Sequence, residues 1–452
     1  LEFKKQYVQE NGTFYIYSGG FINVPSKYKK LDSDDNLVID KSYFKDFPKA
    51  MVKSGNTLII KPDAYSLNEK TIQPQAAMVV VEVGSGKIKA MVGGRGQSGS
   101  RLYNRALNPR QAGSSIKPLS VYGAALQKSF DYAEKGETWP FVDYKHDKQG
   151  VKSYGSYLTA SSTIVDEQMT FNGKVWPKNA SNSFTGPVTM RKGLQQSINT
   201  IAVKIQLQVG NEYSADMLKK FGLTTIVTKG DTSDMNSAAL ALGGLTNGVI
   251  PLEMAQAYAT FPNGGVRQSS IAYTEVTDRH GKVLLKSKSK KKKVMDEGVA
   301  FIMTDMLRTV VSNGIAGAAS ISGVQAGGKT GTTNSNYDIW FDGFTPNYAA
   351  SLWIGTDVNI KLSSMSGMAA RLWGRIMNQV PNAKNGKYKS MPNDVVKVGS
   401  EYYTKGTEKG RSTYVQPKPT PQQKQYEEDD DTDDDTSQSS SNTNSGPTIP
   451  GA

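Results

Sequence analysis

G-G-K-T-G-T-T-N-S-N-Y-D-I-W-F-D-G-F-T-P-N-Y-A-A-S-L-W-I-G, residues 327–355, is the stretch whose reading decides the fold. Lys329-Thr330-Gly331-Thr332 reads as an exposed strand edge entered through two glycines. Asp338 to Phe344 and Tyr348 to Gly355 are apolar and aromatic runs joined by the turn Thr345-Pro346-Asn347, a hairpin pattern. Far upstream stands a second hairpin: Ala76 to Val83, the turn Gly84-Ser85-Gly86, then Lys87 to Val92. Its unbroken apolar run Met78 to Val81 predicts a strand covered on both faces. Helical texture lies between the hairpins, over Ser115 to Gln127, Thr189 to Val209, parts of Ala238 to Ala259, and Gly298 to Ser312. Met368 to Val380 continues it after them. Strands at both ends with helices between do not alternate as βαβ units do. They predict an α+β fold, an antiparallel sheet sandwiched by helices, in which the first hairpin pairs with the last.

Around that core the chain divides by composition. Residues 1–74 mix polar segments with short apolar runs and read as a linker or accessory region. The sheet-and-helix domain spans 75–385, with 386–415 as a C-terminal extension. Residues 130–185 are rich in Gly, Asn, Lys and Ser and read as loops. From 416 to 452, acidic and Ser/Asn-rich runs predict a disordered tail, because such segments lack the apolar content to offset ordering entropy.

Composition excludes several chemistries. The 452 residues contain no cysteine, which removes thiol catalysis, disulfides and cysteine metal sites. The two histidines, His146 and His280, stand in polar, loop-like surroundings and read as surface residues, so a Ser-His-Asp arrangement has no candidate base. No metal-binding or cofactor-binding pattern is visible. The net charge of +13 hides an acidic run at Glu427 to Asp435; the rest of the chain is more basic still. A basic body fits an anionic neighbourhood such as a cell-wall polymer, or ordinary solubility. Nucleic acid is disfavoured, since no recognised module or repeated basic-aromatic pattern occurs. No apolar run approaches the length of a membrane span, and the chain begins at Leu1 with no signal peptide.

Three short strings carry the chemistry: S-S-I-K at Ser114 to Lys117, S-I-N at Ser197 to Asn199, and K-T-G-T at Lys329 to Thr332. None is informative alone. S-x-x-K recurs at Ser26 to Lys29 and Ser287 to Lys290, and S-x-N at Ser54 to Asn56 and Ser440 to Asn442; K-T-G occurs once. Taken singly, Ser114 and Lys117 read as a helix cap and a surface lysine, Ser197 as an N-cap, and K-T-G as a turn. Together they are equipment for breaking an amide bond. A serine hydroxyl needs a base, and Lys117, three residues on along a helix, shares its face. Burial and a second cation, for which Lys329 is the candidate, lower a lysine's pKa so that it can act as that base. Ser197 is placed to relay a proton, and Asn199 to hold a substrate carbonyl or orient the lysine. Gly331 would admit a substrate backbone to the strand edge. Thr330 and Thr332 would bind a substrate carboxylate with charge from Lys329, and the N–H groups of Ser114 and Thr332 would form an oxyanion hole.

These residues resemble the transpeptidase domain of class A penicillin-binding proteins, and the resemblance extends past the three motifs. Arg110 to Pro118 is similar to the family's segment around its serine. Trp176-Pro177-Lys178-Asn179 and Gly186-Pro187-Val188-Thr189 are similar to the approach to its second motif. Gly248 to Ala255 and Asn263-Gly264-Gly265 match a further signature, and Gly328 to Tyr348 the third motif with its hairpin. The likeness spans roughly Gln75 to Val380. It implies D,D-transpeptidation of peptidoglycan stem peptides through an acyl-enzyme on Ser114, acylation of the same serine by β-lactams, no cofactor, and an extracytoplasmic setting at the bacterial membrane or wall. The upstream glycosyltransferase domain and membrane anchor of that class are not found here. The chain is therefore expected to be the C-terminal part of a bifunctional enzyme. An insertion is expected at 143–172. Ile198 stands where β-lactamases usually carry Asp, which favours the penicillin-binding branch. Two alternatives remain open: a D,D-carboxypeptidase on the same fold, and a non-catalytic sensor or wall-binding module.

Overall fold

The computed structural model describes residues 74–96, 103–142, 155–171, 173–363 and 366–408, with shorter segments between residues 6 and 72. His146, residues 143–154 and 172 of the expected insertion, and the tail 416–452 lie outside the described residues. All described residues belong to one unit, Leu1–Tyr414. Ahead of the main sheet, the backbone forms a three-stranded antiparallel sheet from Gln6–Glu10, Thr13–Ser18 and Glu69–Ile72.

The central sheet has five antiparallel strands. In chain order they are β1 (Gln75–Glu82), β2 (Ile88–Val92), β3 (Gly327–Thr332), β4 (Asp338–Phe344) and β5 (Tyr348–Gly355). Their spatial order is β2-β1-β5-β4-β3, so the first hairpin pairs with the last, in register from Gln75 opposite Gly355 to Glu82 opposite Tyr348. Every residue of β4 and β5 is buried, as is the run Met78–Val81. That follows from cover on both faces, and it is why these strands lack polar alternation.

Alternation along β3 and β4 assigns the faces. Lys329, Asp342 and Ser351 are directly opposite one another and share one face. The other face takes Phe341, whose ring packs edge-on at 5.0 Å against Trp373 of the helix Gly367–Met377; the Trp373 indole also donates to Ala350 O at 3.0 Å. On the Lys329 face lie the helices Pro251–Ala259 and Glu297–Ser312. The second of these shows how sequence sets a helix. Asp296 caps it by accepting from Gly298 N at 3.0 Å. Val299, Ile302, Met303, Met306, Leu307 and Val310 then recur at helical spacing, all buried.

The expected loop region 130–185 contains structure that its composition concealed. Thr163–Asp166 is a strand paired antiparallel with Gly186–Thr189. It is four residues long and capped by polar neighbours, too short for periodicity to register.

Candidate active site

Ser114 lies on a tight turn, Gly113–Ile116, at the mouth of the helix that ends at Glu134. The Lys117 N–H donates to Ser114 O, an i to i+3 bond. Such a turn places residues three apart, here Ser114 and Lys117, on the same side. A regular helix from Ser115 onward was the expectation, and the segment departs from it. Pro118–Tyr122 is wound wider, with Gly123 N bonding Pro118 O five residues back. Pro118 has no N–H to give to a regular helical ladder.

The turn is wedged between two other segments. Gly113 has φ of +53°, and a Cβ there would meet Thr332 O at 2.3 Å; one on Gly243, φ +78°, would meet Gly113 O at 2.2 Å. Only glycine accepts both that backbone region and that approach. The loop before Ser114 is tied down as well. Trp340 Nε1 donates to Gln111 O at 2.7 Å, and Arg110 Nε to Asp338 Oδ1 at 2.7 Å.

Lys117 is fully buried. Its Nζ donates to Asn199 Oδ1 at 2.6 Å, to Ser197 O at 2.9 Å and to Ser197 Oγ at 3.4 Å. Lys329, on β3 and also fully buried, donates to the same Ser197 Oγ at 2.8 Å and to Thr330 O at 3.0 Å. One hydroxyl thus bridges two lysine amines that reach it from different elements. Ser197 holds this place with φ of +57°, an uncommon region for a non-glycine residue, in the break between the helices Met190–Gln195 and Asn199–Val209.

The electrostatics follow from burial. Desolvation holds Lys117 well below the ordinary lysine value, and the neighbouring Lys329 lowers it further. Desolvation brings Lys329 down to about 7. Among the described residues no carboxylate bonds to either amine. A lysine in this state can be neutral near physiological pH and take up a proton.

Lys117, Ser197, Asn199, Lys329 and Thr330 are therefore joined in one hydrogen-bonded cluster. Ser114 is half-buried above it, and Lys117 directs its bonds to the second motif, not to the Ser114 hydroxyl. Thr332 is the one partly exposed residue of β3, which is an edge strand as expected but whose other side chains are buried. Gly331 faces its own chain: a Cβ would meet Ala112 O at 2.3 Å. The glycine is needed to let the Ser114 turn seat on the strand, a reason different from substrate approach.

Sequence reasoning passed over three residues. Asp342, fully buried opposite Lys329, lay hidden in an apolar run. Asn179 and Asp166 stand behind the second motif. Asn179 was visible only as part of Trp176 to Asn179, and Asp166 carried no signal.

Residues 157–378 match the model of the penicillin binding protein transpeptidase domain. The chain carries a penicillin-binding protein transpeptidase domain. Penicillin-binding protein 1A of Clostridium botulinum (strain Langeland) is 38% identical over 337 residues, which cover 72% of this chain and 38% of that protein. Penicillin-binding protein 1A of Clostridium acetobutylicum is 36% identical over 357 residues, covering 78% of this chain and 41% of that protein. The crystal structure of penicillin-binding protein 1A from Haemophilus influenzae superposes with a TM-score of 0.59 at 26% identity, covering 77% of this chain and 56% of the other. The chain spans about two-fifths of the length of the curated relatives it matches. The α+β sheet-and-helix architecture of the transpeptidase domain is the one expected from the hairpins. The family match begins after Ser114 and Lys117, so their place in the site rests on the geometry above.

Proposed function

We propose that this domain is a serine D,D-transpeptidase that cross-links peptidoglycan stem peptides and is acylated at Ser114 by β-lactams. The observation that carries the reading is the Ser197 hydroxyl held between two buried lysines, one of them on the same tight turn as Ser114. Neutral Lys117 takes the Ser114 Oγ proton as that oxygen attacks the penultimate D-Ala carbonyl. The N–H groups of Ser114 and Thr332 receive the developing oxyanion. As the C–N bond breaks, a proton passes from Lys117 through Ser197 Oγ to the leaving amine, and D-Ala departs. The acceptor amine then attacks the ester, the same relay removes its proton, and Ser114 Oγ is reprotonated. Lys329 and Thr332 hold the carboxylate of the donor or drug.

No cofactor enters this sequence. Among the described residues no helix is long and apolar enough to cross a membrane. An extracytoplasmic setting is inferred from the relatives' class and from the substrate.

The test is labelling with a fluorescent penicillin followed by mapping of the modified peptide. The label is expected on Ser114 and absent from a folded Ser114→Ala protein; labelling that survives there overturns the assignment. Incubation with a stem pentapeptide and an amine acceptor then separates transfer from hydrolysis. Release of D-Ala with no cross-linked product would make the domain a carboxypeptidase, and no release would make it a sensor.

A further inference from the structure

The second motif opens a helix that its own sequence cannot cap. Asn199–Val209 begins after Ile198, which occupies the cap position and has no oxygen to offer the free N–H groups. The cap comes from elsewhere in the chain. Asn179 Oδ1 accepts from Asn199 N at 3.0 Å and from Thr200 N at 3.4 Å. Asn179 is itself buried, and its Nδ2 donates to Asp166 Oδ1 at 2.7 Å and to Ser183 O at 3.0 Å.

Asp166 is buried at the end of its strand. Its carboxylate accepts four hydrogen bonds: from Asn179, from the Thr200 hydroxyl, and from Thr185 N and Oγ1 at 2.8 Å each. A carboxylate only accepts, so it dictates which end of the Asn179 amide faces it. The amide nitrogen must point to Asp166, which leaves the oxygen for the helix. One step further the same logic repeats. Asn199 Nδ2 donates to Lys178 O at 2.8 Å, which turns Asn199 Oδ1 toward Lys117. Lys204, one turn later on the helix, ties it again to the Asp166 strand through Val165 O at 3.0 Å.

We propose that Asp166 and Asn179 are positioning residues for acylation, which cap the second-motif helix from outside and thereby orient Asn199 toward the Lys117 amine. Neither touches substrate. The inference rests on the reading of Ser114 and Lys117 as nucleophile and base. The other charged group facing Lys117 is Lys329, on β3, and these variants leave it unchanged.

The experiment compares the second-order acylation rate constant by a fluorescent penicillin between pH 5 and 10, with thermal midpoints measured alongside. Asn179→Ala is expected to lower the plateau about ten- to hundredfold, as loss of a supporting hydrogen-bond partner does elsewhere. Its acid limb should also move to lower pH, because an ammonium that loses the Asn199 acceptor is less favoured. The reciprocal pair guards against a general folding defect. Asn179→Asp and Asp166→Asn should each acylate slowly. The double variant Asn179→Asp/Asp166→Asn restores one amide facing one carboxylate, though it loses the bond to Ser183 O, and should acylate faster than either single variant. A folded Asn179→Ala protein with the parent's rate and pH profile overturns the proposal, and so does a double variant no faster than either single one. Failure of the parent to label at Ser114 would instead overturn the functional reading itself.

Discussion

Lys117 and Lys329 both reach the Ser197 hydroxyl, yet the proposed reaction gives them different work. Lys117 shares the tight turn of Ser114, whereas Lys329 enters from β3 beside Thr330 and Thr332. Lys117→Ala should therefore slow acylation by about two to four orders of magnitude for every acyl donor, the usual cost of a lost general base. Lys329→Ala should be selective against donors that carry a carboxylate. Because burial brings Lys329 to about 7, its charge is present below that pH and lost above it. The preference of the free enzyme for carboxylate-bearing donors should thus fade as pH rises through about 7. Removing Lys329 also removes one of the two causes that depress Lys117, so the acid limb in Lys329→Ala should shift to higher pH. Paired donors with and without a carboxylate, assayed from pH 6 to 9, check all three effects. Equal losses for both donors in Lys329→Ala, with Lys117→Ala nearly active, would mean the roles are reversed.

At the scale of elements, β4 carries a fully buried acid. Asp342 stands between Lys329 and Ser351 in the sheet register, and burial pushes its carboxyl up to about 7. The Ser115 and Ser351 hydroxyls face it and pull it partly back. Neither closes a hydrogen bond at ordinary length: both Asp342 oxygens and Ser351 Oγ are unpartnered, and Ser115 Oγ donates to Ala112 O at 3.0 Å. The folded protein keeps this proton between about pH 4 and 7, where the unfolded chain has released it. Its contribution to stability accordingly falls as pH rises through that window and stays low above it. Asp342→Asn should remove that slope, so that its stability relative to the parent improves from pH 4.5 to pH 8. Urea denaturation at both pH values tests this, and an unchanged difference would show that Asp342 does not titrate in the folded state. The same strand explains what the sequence disclosed. Hairpins, helices and the three motifs were legible because apolar runs, glycines and short polar strings are local signals. Asp342 was not, since its register opposite Lys329 exists only once the strands pair. Nor was the Asp166–Asn179 cap, which joins residues 13 and 20 positions apart to a helix start that Ile198 leaves bare.

At the scale of the whole molecule, the C-terminal hairpin Val395–Val398 and Glu401–Thr404 lies beyond the family match, which stops at residue 378. It nonetheless grips the site's scaffold. Tyr402 packs edge-on at 5.2 Å against Phe301 of the helix Glu297–Ser312. Glu401 receives both Nε, at 2.8 Å, and Nη2 of Arg191, while Nη2 also meets Asp305 at 2.8 Å on that same helix. Arg191 sits on the helix Met190–Gln195, which follows strand Gly186–Thr189 directly and leads through Gln196 into Ser197. The forked pair is largely shielded from water, so its loss is not the small effect of a surface ion pair. Glu401→Ala should cost about 2 kcal/mol, less than fully orphaning a buried charge because Asp305 remains to Arg191. Glu401→Gln keeps one acceptor and should lose less. The cost should also reach the chemistry: a loosened Met190–Gln195 helix frees the strained Ser197, so acylation by a fluorescent penicillin should slow in Glu401→Ala well below its melting temperature. Denaturation midpoints and acylation rates for the two variants test the coupling. A Glu401→Ala protein that is destabilised but acylates at the parent rate would confine the hairpin to a structural brace, with the second motif held by its own neighbours.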